Sequence, residues 1–128
     1  GLIAFYDAGC ASCHAGPMFS DFEPHHLGVM ERDAATGASR DAFRTPSLRH
    51  VTRTGPYMHD GSVATLADVM TFYVGLDRTL DPALDRLQPV SVRQGEEIIR
   101  FLEALSDGTV DREIPARVPS GLPVGGAL

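Results

Sequence analysis

The sequence predicts an all-α domain with long connecting loops and an extended carboxy-terminal strap. Three observations lead there. Apolar residues recur at helical spacing in three windows, two of these windows open on side-chain capping patterns, and the rest is interrupted by Gly or Pro every few residues. No internal repeat and no strand-like alternation stands out.

The first window, "GLIAFYDAG", sets Leu2, Phe5 and Tyr6 at i, i+3 and i+4 and predicts a short amphipathic helix running into Cys10. Residues 15–42 are rich in Gly, Pro, Asp and Ser and read as loop wrapped around something. "TPSLRHVTRTGPYMHDG" keeps Leu48, Val51, Tyr57 and Met58 among breakers, as expected of an irregular segment held by a bulky partner. In "TLADVMTFY", Thr65 and Asp68 form a cap, and Leu66, Val69, Met70 and Tyr73 make one stripe. "SVRQGEEIIRFLEALS" repeats the design, with Ser91 and Gln94 as a capping box and Ile98, Leu102 and Leu105 as the buried face. The first and last helices are expected to pack together, Gly1, Phe5 and Phe101 suiting a close crossing. A domain over 1–107 and a Pro/Gly-rich tail over 108–128 complete the organisation.

Length and composition suit one domain: 128 residues, 43% hydrophobic and 22% charged, with a modest core of its own or one built around a cofactor. The net charge is −6, and all 11 basic residues are arginine. Without a basic stripe to neutralise phosphates, nucleic acid is disfavoured as a partner. A lysine-ringed docking face is excluded. No stretch is long and apolar enough for a membrane span, so a soluble domain is expected. The chain starts at Gly1 rather than Met, and an export signal is expected to have been removed or to lie outside these residues.

Both cysteines lie in "GCASCHAG", as Cys10 and Cys13, with His14 directly after them. Covalent haem attachment needs two thiols to add to the two vinyl groups on one porphyrin edge and an imidazole to reach the iron, and CxxCH supplies all three. A zinc site would need further ligands, and His25, His26, His50 and His59 show no paired ligand spacing. A thiol redox pair expects a preceding strand in a βαβ context. A structural disulfide is disfavoured, because so short a loop restrains the unfolded chain little. Haem is the reading that uses every part of the motif, while zinc and a redox pair remain open on the motif alone. With His14 on one side of an iron, Met58, Met70 and Tyr73 lie far enough along the chain to supply the other side; Met18 and Met30 sit in the loop after the anchor. A phenolate there would favour ferric iron, a thioether ferrous. His59 and Asp60 read as a turn or as hydrogen-bonding groups beside the cofactor, and His25, His26 and His50 as surface or wall residues.

Beyond the anchor, "FRTPSLRHVTRTGPYMHDGSVATLADVMTFY", with "GCASCHAGPMFSDFEPHHLGV" and the terminal "VPSGLPV", resembles the C-terminal haem domain of the bacterial di-haem cytochrome c peroxidase and MauG superfamily. The resemblance covers most of the chain. It implies a class I cytochrome c-like fold carrying one covalent haem c, six-coordinate and relaying or storing electrons. A second haem domain or chain would then bind peroxide, and this one alone would turn over little or none. The resemblance implies Tyr73 as the distal ligand, at a position that is Met in many peroxidases and Tyr in the MauG group. Met58 is the runner-up, its "PYMHDG" segment otherwise forming haem wall with His59. Arg44 and Arg49 are implied to contact propionates or lie between the haems. Thr54 and Pro56 align with residues beside an interdomain calcium. An electron donor or protein substrate is the further partner, since the MauG group shares two oxidising equivalents between its haems to oxidise a bound protein. Thiols kept reduced until haem ligation outside the cytosol add a bacterial periplasmic location. The alternative is a stand-alone monohaem electron carrier, monomeric and compact where a fragment would expose a wide apolar docking face.

Overall fold

The computed structural model describes residues 1–32 and 39–106. Three α-helices, α1 (Leu2–Asp7), α2 (Leu66–Val74) and α3 (Val92–Ala104), are joined by short 3-10 turns and by a two-stranded antiparallel sheet of β1 (Pro24–Arg32) and β2 (Ser39–Arg44).

α3 forms where the caps and the apolar period agree. Ser91 accepts from the Gln94 backbone and the Gln94 side chain accepts from the Ser91 backbone, satisfying two orphan donors of the first turn. Its inner face presents Gly95, Ile98 and Leu102, all buried, and Leu105 packs against the same cluster. α2 starts in the same way, Thr65 accepting from the Asp68 N–H at 3.1 Å. Its stripe, however, is only half-buried at Leu66, Val69, Met70 and Tyr73.

The core is small: Ala4, Phe5, Ala8, Val51, Ile98 and Leu102. Phe5 enters between α1 and α3, its ring 5.1 Å from that of Phe101. A Cβ on Gly1 would lie 2.6 Å from the Glu97 carbonyl oxygen, so the start of α1 rests directly on the backbone of α3. The expected crossing of first and last helices is present, with a different inner face. Leu2 and Tyr6 are exposed, and Ala4, Phe5 and Ala8 turn inward instead. Small side chains on either side of one ring let two helices approach this closely; a Leu or Tyr there would hold them apart.

The expectation of an all-α domain is corrected by the sheet. Pro24 pairs with Arg44, His25 with Phe43 and His26 with Ala42, then the register shifts before Glu31 pairs with Arg40. Part of the segment read as loop over 15–42 is therefore strand. Along β1, His25, Leu27 and Val29 face one cavity while Met30 stands exposed, an alternation of period two. Gly28, at φ +71°, bends the strand within the irregular stretch and sits 3.0 Å, measured from an added Cβ, from the Leu80 side chain. The hairpin is stabilised by pairing and by the wall it forms, neither of which is a local property of its residues. Residues 33–38 and the tail expected over 108–128 lie outside the described residues. No helix among the described residues is long and apolar enough to cross a membrane.

Candidate functional site

α1 delivers its C-terminus to Gly9, whose left-handed backbone (φ +79°) turns the chain into the 3-10 turn Cys10–Ser12. A Cβ on Gly9 would run into the carbonyl of Arg86, so only glycine lets the cysteine turn lie against this neighbouring strand of chain. Gln88 N–H donates to the Ala8 carbonyl at 3.0 Å on the same edge.

Cys10, Cys13 and His14 then open onto a cavity of about 620 Å³. α2 contributes Leu66, Val69, Met70 and Tyr73, so the whole stripe predicted from sequence faces this space. The hairpin adds Leu27, Val29 and Phe43; Ile98 and Leu102 form part of the wall between cavity and core. The volume falls in the range of cofactor and ligand sites, and the walls are mainly aliphatic and aromatic.

His14 Nδ1 lies 3.0 Å from the carbonyl oxygen of Phe19. A carbonyl can only accept, so Nδ1 carries the proton and Nε2 is left with its lone pair, the tautomer a metal ligand requires. Burial holds the His14 pKa below its ordinary value, which keeps the ring neutral. Burial pushes the Cys10 thiol up to about 11 and the Cys13 thiol up as well. Neither sulfur is shifted in the direction that activates a redox pair. Burial, reinforced by the two cysteines, pushes the Tyr73 hydroxyl up to about 12. Cys13, Asp21 and His25 each bring one ligand atom within 4.8 Å of the others. As a zinc site this set would use one sulfur and omit both Cys10 and His14, leaving most of the motif unexplained.

No family model matches the chain. It is 34% identical to a cytochrome c peroxidase of Denitromonas iodatirespirans over 77% of this chain and 37% of that protein. It is 31% identical to the methylamine utilization protein MauG of Methylophilus methylotrophus, over 90% of this chain and 38% of the relative. Among solved structures, a MauG-like protein associated with microbial copper homeostasis matches with a TM-score of 0.67 and 26% identity, covering 84% of this chain and 46% of the other. The chain belongs to the bacterial cytochrome c peroxidase and MauG family. It spans less than half the length of each of these relatives.

This family of haem oxidoreductases implies a c-type haem, and the cavity of this member fits one: two sulfurs, a tautomer-fixed imidazole and apolar walls on one space. The other predicted residues divide. Met58, in a left-handed conformation (φ +65°), lines the cavity, and His59 lines it while stacking on Phe43 with centroids 3.7 Å apart. Thr54 and Pro56 also lie in the wall, the Thr54 hydroxyl donating to the Val51 carbonyl at 3.0 Å. Arg44 lines the cavity and donates from Nε to the Phe22 carbonyl at 3.0 Å. Arg49 is absent from the lining and donates from Nε to the Pro17 carbonyl at 2.8 Å. His25, read as a surface or wall residue, lines the cavity between Asp21 at 2.8 Å and Asp81 at 3.4 Å. His26 contacts Asp41 at 2.8 Å.

Sequence reasoning missed the Phe19 carbonyl, the Leu27, Val29 and Phe43 wall, and Asp81. Asp81 also accepts from the His26 and Ala83 N–H groups at 3.0 and 2.8 Å, binding hairpin to turn. Only the period-two spacing of His25, Leu27 and Val29 carried a usable signal.

Proposed function

We propose that this chain is the electron-relaying haem domain of a cytochrome c peroxidase or MauG-like enzyme that reduces hydrogen peroxide or oxidises a protein substrate. The observation that carries the reading is the meeting of both cysteine sulfurs, the tautomer-fixed His14 and Tyr73 around one apolar cavity. In this reading Cys10 and Cys13 hold the porphyrin through thioethers, each formed by adding S–H across a vinyl group. His14 Nε2 and the Tyr73 oxygen would hold the iron. Bound there, haem supplies one-electron redox chemistry at a potential set by its axial ligands.

The residues of this chain set the conditions for that chemistry. The Phe19 carbonyl keeps the proton on Nδ1 of His14, and Leu66, Val69 and Met70 exclude water. An anionic oxygen ligand favours the higher oxidation states, which suits a site that stores oxidising equivalents. Met58 is the second candidate for the same coordination position. Arg44, which lines the cavity, is the candidate partner of the propionates, a forked donor being suited to carboxylates, and Arg49, outside the lining, is the candidate to lie between the haems. In this reading peroxide binding belongs to a second haem domain. A calcium ion at Thr54 and Pro56 would draw its remaining oxygens from that domain. Ligation chemistry on reduced thiols gives the bacterial periplasm as the location.

Denaturing mass spectrometry tests the anchor: the expected result is one haem mass retained per chain, and an unmodified polypeptide overturns it. Ferric absorption spectra of Tyr73→Phe and Met58→Leu test the ligand, Tyr73→Phe alone being expected to change the spectrum. Peroxide turnover by the isolated chain at the rate of an intact peroxidase would overturn the relay assignment in favour of a complete enzyme.

A further inference from the structure

The loop from Ala15 to Phe22 carries the carbonyl that orients His14, and its backbone is under strain. Phe19 and Phe22 have φ of +51° and +62°, values that residues with a Cβ leave unless the surroundings over-determine them. The restraint comes from residues 44–49, "RTPSLR", running antiparallel to the loop. Arg49 Nε donates to the Pro17 carbonyl at 2.8 Å, and Ser47 Oγ to the Met18 carbonyl at 2.7 Å. Ser20 Oγ donates to the Thr45 carbonyl at 2.8 Å, and Arg44 Nε to the Phe22 carbonyl at 3.0 Å. The two guanidinium groups also lie over the loop's aromatic rings, Arg44 4.9 Å from the centre of Phe22 and Arg49 5.7 Å from that of Phe19. The Phe19 carbonyl meets Nδ1 of His14 at 3.0 Å, and the backbone of Pro46, in the clasping segment, also bears on the same ring. The Phe19 ring is itself packed against Phe5 and Phe101, 6.3 and 5.6 Å between centroids.

We propose that Arg44, Ser47 and Arg49 are positioning residues for His14: they clasp the carbonyls of the strained loop and so fix the Phe19 carbonyl on the imidazole. The proposal rests on His14 being the haem ligand. A carbonyl held firmly on Nδ1–H makes the imidazole a stronger donor through Nε2, which stabilises ferric over ferrous iron. Loosening the clasp weakens that donation and raises the reduction potential. Arg49 gives the sharpest test, because it does not line the cavity and its hydrogen bond goes to the Pro17 carbonyl of the loop.

The experiment measures, on haem-loaded protein, the midpoint potential and the ferric electron paramagnetic resonance spectrum of wild type, Arg49→Leu, Ser47→Ala and Arg49→Lys. The expected result is a positive shift in potential with altered g values for Arg49→Leu and Ser47→Ala, and a return toward wild type for Arg49→Lys, whose ammonium can still reach the Pro17 carbonyl. Ser47→Ala removes a single hydroxyl, so it reports even if Arg49→Leu fails to load. Wild-type potential and g values in both Arg49→Leu and Ser47→Ala, with one haem per chain by mass, overturn the positioning role alone. A wild-type chain that carries no haem overturns the reading beneath it.

Discussion

α2 and α3 begin alike and end in different situations. Both open on a hydroxyl cap, and both carry an apolar stripe at helical spacing. α3 turns Ile98 and Leu102 into a protein core that backs one wall of the cavity, where they are 1% and 3% exposed; α2 turns Leu66, Val69, Met70 and Tyr73 onto the cavity and leaves all four half-buried, Leu66 and Met70 also touching the edge of the core. An apolar helix face must be covered by something. The difference teaches that one half of this domain is completed by its own side chains and the other by what fills the cavity.

The strongest way to break that contrast is to remove the proposed anchor. In Cys10→Ala/Cys13→Ala, hydrogen exchange of α2 amides is expected to rise toward that of an unfolded chain while α3 amides stay protected against α1. Equal loss in both helices would show that α3 depends on the cavity as well. Next in size, Ile98→Ala is expected to cost about 2–5 kcal/mol in denaturant unfolding, as a large-to-small change in a packed core. Val69→Ala in the cavity wall is expected to cost less than half of that when the cavity is empty. Ser91→Ala and Thr65→Ala each remove a cap and are expected to cost about 1 kcal/mol. The first should appear in global unfolding and the second mainly in local exchange of α2.

The smallest effect is one of pH. Burial alone would lower the His25 pKa, but hydrogen bonds and charge from Asp21 and Asp81 raise it overall. Its contribution is full below the unfolded histidine value and is lost as pH rises through the raised folded value. Asp81 is lowered by the N–H groups of His26 and Ala83 and then by His25. Asp21 is lowered by His25 and the Glu23 N–H against the opposing effect of burial. Their contributions are lost as pH falls through those lowered values. The hairpin should therefore be most protected from exchange between the lowered carboxylate values and the raised histidine value. His25→Gln should flatten the alkaline side, leaving α1 and α3 unchanged.

α2 and α3 were legible in the sequence because caps and a 3.6-residue period are local signals that tertiary structure left intact. The hairpin was not. Its alternation is cut by the shift between His26 and Glu31, and its pairing joins residues on either side of a polar connection. α1 was legible as a helix and misleading as to face. Leu2 and Tyr6 are more apolar than Ala4 and Ala8, yet close approach to α3 selects for small side chains. At the site, Cys10, Cys13 and His14 and the stripe ending at Tyr73 could be read from spacing. The Phe19 carbonyl could not, since every residue has one and only the left-handed turn of the loop aims it. Arg44 and Arg49 stood out through the resemblance, as partners of propionates or residues between haems, whereas the bonds they make here go to uncharged backbone oxygens.

The two sulfurs at the cavity have one more consequence. A dissociable ligand stabilises its protein in proportion to the logarithm of its free concentration and is lost on dilution. A group bonded to Cys10 and Cys13 would remain on the chain through unfolding, presented to its own walls at a concentration fixed by tether length. Recovery from denaturation would then be unimolecular, with a midpoint that ignores how much cofactor is in solution.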